Sequence, residues 1–235
     1  MSQMAGPRGL VAVICAIDKN ATRGQEIRGA AGARVRRPHR IDFDQASLVA
    51  AAFLDAPRTS KHPTVLAAYV ALSDQASRLF ACLTSERTRH PIRIVFTGCP
   101  EPYTDACELS DSVRHARVLE VSPSRHDRDR RHPLLDTSVG GAYDQFRAVH
   151  DIVSHGWLRY GFCRNGEFAA WLHEDRMYTG LARWALATEL HGEHSVRWTS
   201  GIVADHKSVL LDTALINASR DGTQRVAQPG RTTPA

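Results

Sequence analysis

Residues Tyr143 to His194 read YDQFRAVHDIVSHGWLRYGFCRNGEFAAWLHEDRMYTGLARWALATELHGEH, and this stretch decides the fold. It contains His150, His155, His173, His191 and His194, five of the chain's twelve histidines, together with Trp157, Trp171 and Trp184, three of its four tryptophans. A solvated surface helix has no use for Trp at that density. The imidazoles and carboxylates sit inside apolar helical patterns, where an unpaired charge is costly. Coordinating a metal ion keeps several such groups in a core, so the stretch predicts a helical domain built around a metal site.

The spacing sharpens that expectation. Gly140-Gly141 breaks the chain, and a helix is predicted from Tyr143 to His155, with Phe146, Val149 and Val153 as its apolar stripe. Asp151 and His155 stand four positions apart, on one face and one turn from each other, as two ligands of one ion must be. His150 adds an adjacent His-Asp pair. A second helix is predicted from Gly166, with Glu167, Trp171 and Glu174 on one face and His173 and Met177 on another; the pattern then resumes and runs to Glu189. Glu167 and His173 are six positions apart, which in a straight helix is about 120° off a common stripe. Both can be ligands only if the first turn is irregular or if they address different ions. The candidate ligands, six residues in all, are therefore one or other of His150 and Asp151, with His155, Glu167, His173 and Glu189, converging on two ions. Imidazole with carboxylate and no thiolate suits iron, with manganese as the alternative, better than zinc. The competing reading is a plain helical domain in which these groups only cap helices and pair with one another.

Outward from this core, the chain of 235 residues is long enough to bury one sizeable domain. With 43% hydrophobic and 23% charged residues it has a globular composition, which argues against a disordered or membrane-embedded class. The net charge of +5 invites a nucleic-acid reading. Much of the excess sits in the flanks, at Arg23, Arg28, Arg34, Arg36, Arg37 and Arg40 and again at Arg220, Arg225 and Arg231, so nucleic acid is not an expected partner. Five cysteines without a C-x-x-C pattern fit free thiols in a reducing compartment. The run LVAVICAI from Leu10 to Ile17 is too short to cross a bilayer and lacks the flanks of a signal peptide, so a cytoplasmic protein is expected.

Residues 1–40 are read as a disordered or peripheral arm, 41–217 as the helical metal-binding domain and 218–235 as a disordered tail. Asp42 or Asp44 should cap a helix through Leu48, Val49, Ala52 and Phe53 that Pro57 ends. His62-Pro63 opens a long second helix, with His62 in solvent. IRIVFT (92–97) and RVLEVS (117–122) read as short strands pairing as a small hairpin or ribbon, with a short helix between them near 106–114. In the charged tract SRHDRDRRHP (124–133), His126 and His132 are expected to be solvated rather than ligands.

The pattern FRAVHD-x-x-x-H, then G-E-x-x-A-W-x-x-H-x-x-M, then A-L-A-T-E resembles an uncharacterised family of actinobacterial and phage proteins. It is carried by Phe146–His155, Gly166–Met177 and Ala185–Glu189, with His62-Pro63, Pro102-Tyr103 and His132-Pro133-Leu134-Leu135 upstream. A looser resemblance, through Asp151-x-x-x-His155, is to the heme-oxygenase-like di-iron oxidases. That resemblance implies a mainly α, heme-oxygenase-like helical bundle and an O2-activating oxidase or oxygenase acting on a small amino-acid-like or natural-product molecule. It implies two iron ions, and Arg147, one turn before Asp151, either holding a substrate carboxylate or pairing with Asp151. The expected partners are substrate and O2, with no membrane and with a homodimer left open. Two other classes compete. The His150-Asp151 pair fits an HD-type metal-dependent phosphohydrolase acting on a nucleotide, and a non-enzymatic helical binding protein of mobile elements would need no converging ligands.

Overall fold

A computed structural model describes residues 40–123 and 131–225. Among the described residues the protein is mainly helical, with one small two-stranded sheet. Helix α1 spans Phe43–Asp55 and begins where the Asp42 carboxylate accepts the N–H groups of Asp44 and Gln45 at 3.0 and 3.1 Å. It buries Ala46, Val49, Ala50 and Phe53, one face at helical spacing. Helix α2, Pro63–Thr84, is capped by the His62 side chain, which accepts from the N–H of Thr64 at 3.2 Å, and has Pro63 in its first turn. Its stripe of Val65, Ala68, Tyr69, Leu72, Ala76, Leu79 and Leu83 is the longest apolar wall of the core.

Strand β1 (Arg93–Phe96) pairs with β2 (Val118–Val121) in parallel, Arg93 opposite Val118 and Phe96 opposite Val121. The two expected strands do pair, as a parallel ribbon and not as a hairpin. Parallel strands need a crossover, and helix α3 (Ala106–Asp111), extended by a π-helical segment at Ser112–Ala116, supplies it.

The site-bearing half consists of α4 (Ala142–His150), α5 (Arg164–Glu174), α6 (Ala182–Leu186), α7 (Glu193–Ser200) and α8 (Thr213–Arg225). Two of these helices widen into π-helix. Asp151–Trp157 continues α4, and Ala187–Gly192 joins α6 to α7 in one continuous rod. Each insert carries a glycine at a close crossing. A Cβ on Gly156 would lie 2.7 Å from Val113 Cγ1, and one on Gly192 would lie 2.7 Å from Phe53 Cδ2. α2 packs on α4 and α6, while α1 packs on α7 and α8. Lys207 ties the loop before α8 to α1, donating to the carbonyls of Phe53, Leu54 and Ala56 at 2.7, 2.7 and 2.5 Å at the α1 C-terminus.

Helix α8, Thr213–Arg225, lies across the expected boundary at 217. Ser219 is buried and bonds to His191 Nε2 at 2.9 Å, and Arg220 donates to both oxygens of the buried Asp175 and lies over the Trp184 ring at 4.7 Å. The arm 1–39 and the charged loop 124–130, which contains His126, lie outside the described residues. Among the described residues no helix is long and apolar enough to cross a membrane.

Two measurements test this core. Asp175 is held by the guanidinium groups of Arg183 and Arg220. Arg220→Ala removes one of them and leaves a buried carboxylate half-compensated, which should cost about 2–3 kcal/mol in denaturant unfolding; an unchanged midpoint would mean that α8 does not hold the fold. His191 stacks on Trp171, with ring centroids 4.2 Å apart, and its burial, with His194 and Arg220 nearby, pushes its pKa down to about 3. The unfolded chain takes up that proton near the ordinary value of 6.5, so His191 adds stability that is complete above that pH and lost as pH falls toward 3. Between pH 7 and 5 the parent should lose about 2 kcal/mol more than His191→Phe.

Candidate metal centre

Two helices and a rod meet at His150, His155, Glu167 and His194. A π turn closes its hydrogen bonds five residues apart, as the Leu158 N–H to Val153 carbonyl bond of 3.0 Å shows. Residues five apart are therefore brought together, and His150 Nε2 lies 3.0 Å from His155 Nε2. Glu167 Oε2 is 3.4 Å from His150 Nε2, 3.5 Å from His155 Nε2 and 3.7 Å from His194 Nδ1. Asp151 stands beside them, with a carboxylate oxygen within 4.8 Å of ring nitrogens of His150 and His155. Donors about 2.1 Å from one ion lie roughly 3.0 Å apart in adjacent octahedral positions and roughly 3.4 Å apart in a tetrahedron. The observed separations fall in and around that range.

The far side of each ring explains its orientation. His150 Nδ1 lies 2.7 Å from Glu174 Oε1, which also accepts from Ser154 Oγ at 2.5 Å, and Glu174 is completely buried. His155 Nδ1 lies 2.7 Å from the carbonyl of Tyr160. A carbonyl can only accept, so the His155 ring proton sits on Nδ1 and its Nε2 lone pair faces inward. The carboxylate does the same for His150. A ligating histidine typically holds its other N–H to a carboxylate or backbone carbonyl in this way. Two inward lone pairs at 3.0 Å repel unless a proton or a cation lies between them. Glu167 Oε2 and His194 Nδ1 are both buried and make no hydrogen bond. Donor type, spacing and these orphaned atoms fit a metal ion.

The electrostatics agree with a tight acid–imidazole cluster. Burial works against charge on His150, but Glu174 and Glu167 outweigh it and hold its pKa well above the usual histidine value. Burial likewise opposes ionisation of Glu167, yet His150, His155 and His194 hold its pKa well below the usual carboxylate range. Burial and the neighbouring His150 depress His194, although Glu167 pulls the other way. Phe162 packs edge-on against His155 at 4.7 Å, and His194, with Trp198 at 5.4 Å, forms the more exposed side.

Of the expected ligands, the structure brings His150, Asp151, His155 and Glu167 together. It does not bring all six. His173 stands in neither group of clustered donors, for the reason its spacing gave: six positions from Glu167, it leaves the common stripe. Glu174, seven from Glu167 and on its face, bonds His150 in its place. Glu189 belongs to a second group with Glu193 and His206, in which one ligand atom from each lies within 4.8 Å of the others. Arg147 donates to the carbonyl of Ser122 at 3.0 Å and so ties α4 to the end of β2.

The largest correction is His132. It is buried, its Nε2 is 3.1 Å from Glu189 Oε1, and its Nδ1 accepts the N–H groups of Leu134 and Leu135 at 3.1 and 2.7 Å. The charged tract ends in His132-Pro133-Leu134-Leu135, and those leucines draw the ring inside; that short apolar ending was the available signal. His194 and Glu193 lay in the central stretch but were masked by its density of similar groups. His206 follows the last periodic segment and carried no signal.

Compared with family models, with curated proteins and with solved structures, the chain gives no match. Function is therefore read from the side chains.

His155→Ala and Glu167→Ala should each lose the ion of this centre, one per chain, whereas His173→Ala should keep it, measured by elemental analysis of the purified chain. Glu174→Gln keeps the shape but weakens the hold on His150 Nδ1, and should raise the metal Kd about 10–100-fold. Equal metal in all four variants would place the ion elsewhere.

Proposed function

We propose that this protein is a metalloenzyme whose ion is held by His150, His155, Glu167 and His194, with Asp151 alongside, and that it is an iron-dependent oxidase or oxygenase. The observation that carries the reading is the pair of inward-facing Nε2 atoms of His150 and His155, each ring fixed from behind and both beside an orphaned carboxylate oxygen. Three imidazoles and a carboxylate, with no thiolate, suit iron, and manganese as its alternative. This donor set favours a single ion at this centre over a pair bridged by Glu189, which bonds Tyr69 and His132 instead.

A bound iron would supply one-electron chemistry, with coordination places beyond the four protein donors for O2 and substrate. The chain's own residues do the rest. Glu174 and the Tyr160 carbonyl each hold a ring proton on the outer nitrogen, so the inner nitrogens are the ones that would ligate, with His150 giving up its second proton in exchange for the entering ion. Phe162 walls one side of His155 and limits water there. The more exposed His194 side is the natural approach for a small substrate. Its amino-acid-like or natural-product class follows from the resemblance to di-iron oxidases. Arg147, engaged by Ser122, is assigned to structure rather than to a substrate carboxylate.

One observation favours a second reading. Asp151 lies with His150 in the same donor group, as the His-Asp pair of a metal-dependent phosphohydrolase would. The two are separated by loading the full chain anaerobically with Fe2+, admitting air with ascorbate, and following O2 at an electrode; a parallel sample loaded with Mn2+ receives a nucleotide panel. The oxidase reading expects O2 uptake that falls at least tenfold in His155→Ala and Glu167→Ala. Phosphate release without O2 uptake would replace it with the hydrolase, and neither activity with intact metal binding would overturn both.

A further inference from the structure

The second donor group lies outside the centre at His150 and is not used by the function proposed for it. Glu189 and Glu193 come from the α6–α7 rod and His206 from the loop before α8, and a ligand atom of each lies within 4.8 Å of the other two. Glu189 Oε1 receives the Tyr69 hydroxyl at 2.7 Å and His132 Nε2 at 3.1 Å. Because His132 Nδ1 is occupied by two backbone N–H donors, its ring proton is on Nε2 and is donated to Glu189. His206 Nδ1 lies 2.7 Å from Glu193 Oε1, and its Nε2 lies 3.3 Å from the Tyr143 hydroxyl.

Among the described residues, positive charge is what this arrangement lacks. A buried carboxylate, Glu189, and a half-buried one, Glu193, face each other here. Tyr69 and His132 offer them only dipoles, and Lys207, next in sequence to His206, spends its ammonium on three backbone carbonyls of α1. Among these residues only His206 can bring a positive charge, and one such charge does not compensate two carboxylates inside a protein. A divalent cation does.

We propose that Glu189, Glu193 and His206 form a second, separate site for a divalent first-row cation, with His132 and Tyr69 positioning Glu189. The donor set of two carboxylates and one imidazole is harder than that at His150 and suits Mn2+ or Fe2+. The two sites share the rod but no ligand: Glu193 turns to this one, and its neighbour His194 to the other. Tyr69 also reaches outward. It is one of the residues lining an open cavity of ≈ 210 Å³, with Leu66, Val70, Ser73, Asp74 and Leu134.

The test counts ions. The full chain is stripped with chelator, loaded anaerobically with Fe2+ or with Mn2+, desalted and assayed for metal per chain, with circular dichroism confirming the fold of every variant. Expected are two ions in the parent, one in His206→Ala, one in the milder Glu193→Gln, and one in His155→Ala. Tyr69→Phe, which keeps the packing but removes a hydrogen bond to Glu189, should keep two ions and weaken one of them several-fold. One ion in the parent, lost in His155→Ala and unchanged in Glu193→Gln and His206→Ala, overturns the second site and leaves the function proposed above standing. One ion lost only with Glu193 or His206 supports this site and overturns the centre at His150. No ion in the parent overturns both.

Discussion

Two imidazole nitrogens facing each other across 3.0 Å are the constraint on which the site-bearing half depends. Neither ring is free to turn away. Glu174 holds His150 from one helix, and the Tyr160 carbonyl holds His155 from the loop that follows its own helix. A fold that only needed to bury two histidines would let them find separate partners. Here the supporting bonds spend the outer nitrogens and aim the inner ones at each other and at Glu167. The free energy of that arrangement is recovered only when something positive occupies the point where they converge, whether a shared proton or a metal ion. The unbonded Glu167 Oε2 and His194 Nδ1 at the same point favour the ion, since a single proton shared by two histidines would leave both of those atoms unpaired.

The π-helical segments are the device that makes this convergence compatible with a helical core. On an α-helix, residues five apart diverge by about 140°, and His150 and His155 could not meet. The widened turn at Asp151–Trp157 closes that angle. Each inserted residue also pushes the helix toward its neighbour, and small residues at Gly156 and Gly192 let the widened turns press on Val113 and Phe53. The irregularity is thus held in place by packing on its outer side and used for chemistry on its inner side.

This explains what was legible in the sequence and what was not. The cap at Asp42, the helix start at His62-Pro63, the long stripe of α2 and the helical character of 143–189 follow from local chemistry that each segment carries by itself, and all appear where the pattern puts them. The membership of His150, Asp151, His155 and Glu167 in one cluster was also visible, because density of donors among tryptophans does not depend on register. What needed register was lost: the i,i+5 pairing, the choice of Glu174 over His173, and the division of Glu189 from the rest. Long-range placement was lost as well. His132 reads as part of a charged tract until Leu134 and Leu135 are seen to carry it into the core, and the parallel pairing of β1 and β2 depends on a crossover that neither strand announces.

The rod formed by α6, the π turn at Ala187–Gly192 and α7 joins these observations. Adjacent residues on a helix point about 100° apart, so Glu193 and His194 face different neighbours by necessity, one toward His206 and the other toward Glu167. Rotating the rod to improve one contact must spoil the other. What prevents rotation is the crossing at Gly192, where α1 leaves no space for a side chain, together with the Trp171–His191 stack one position earlier in the rod. The apolar packing of α1 and α5 therefore sets the geometry of both polar groups at once, and the residues that touch no candidate ligand atom decide how well the ligand atoms meet.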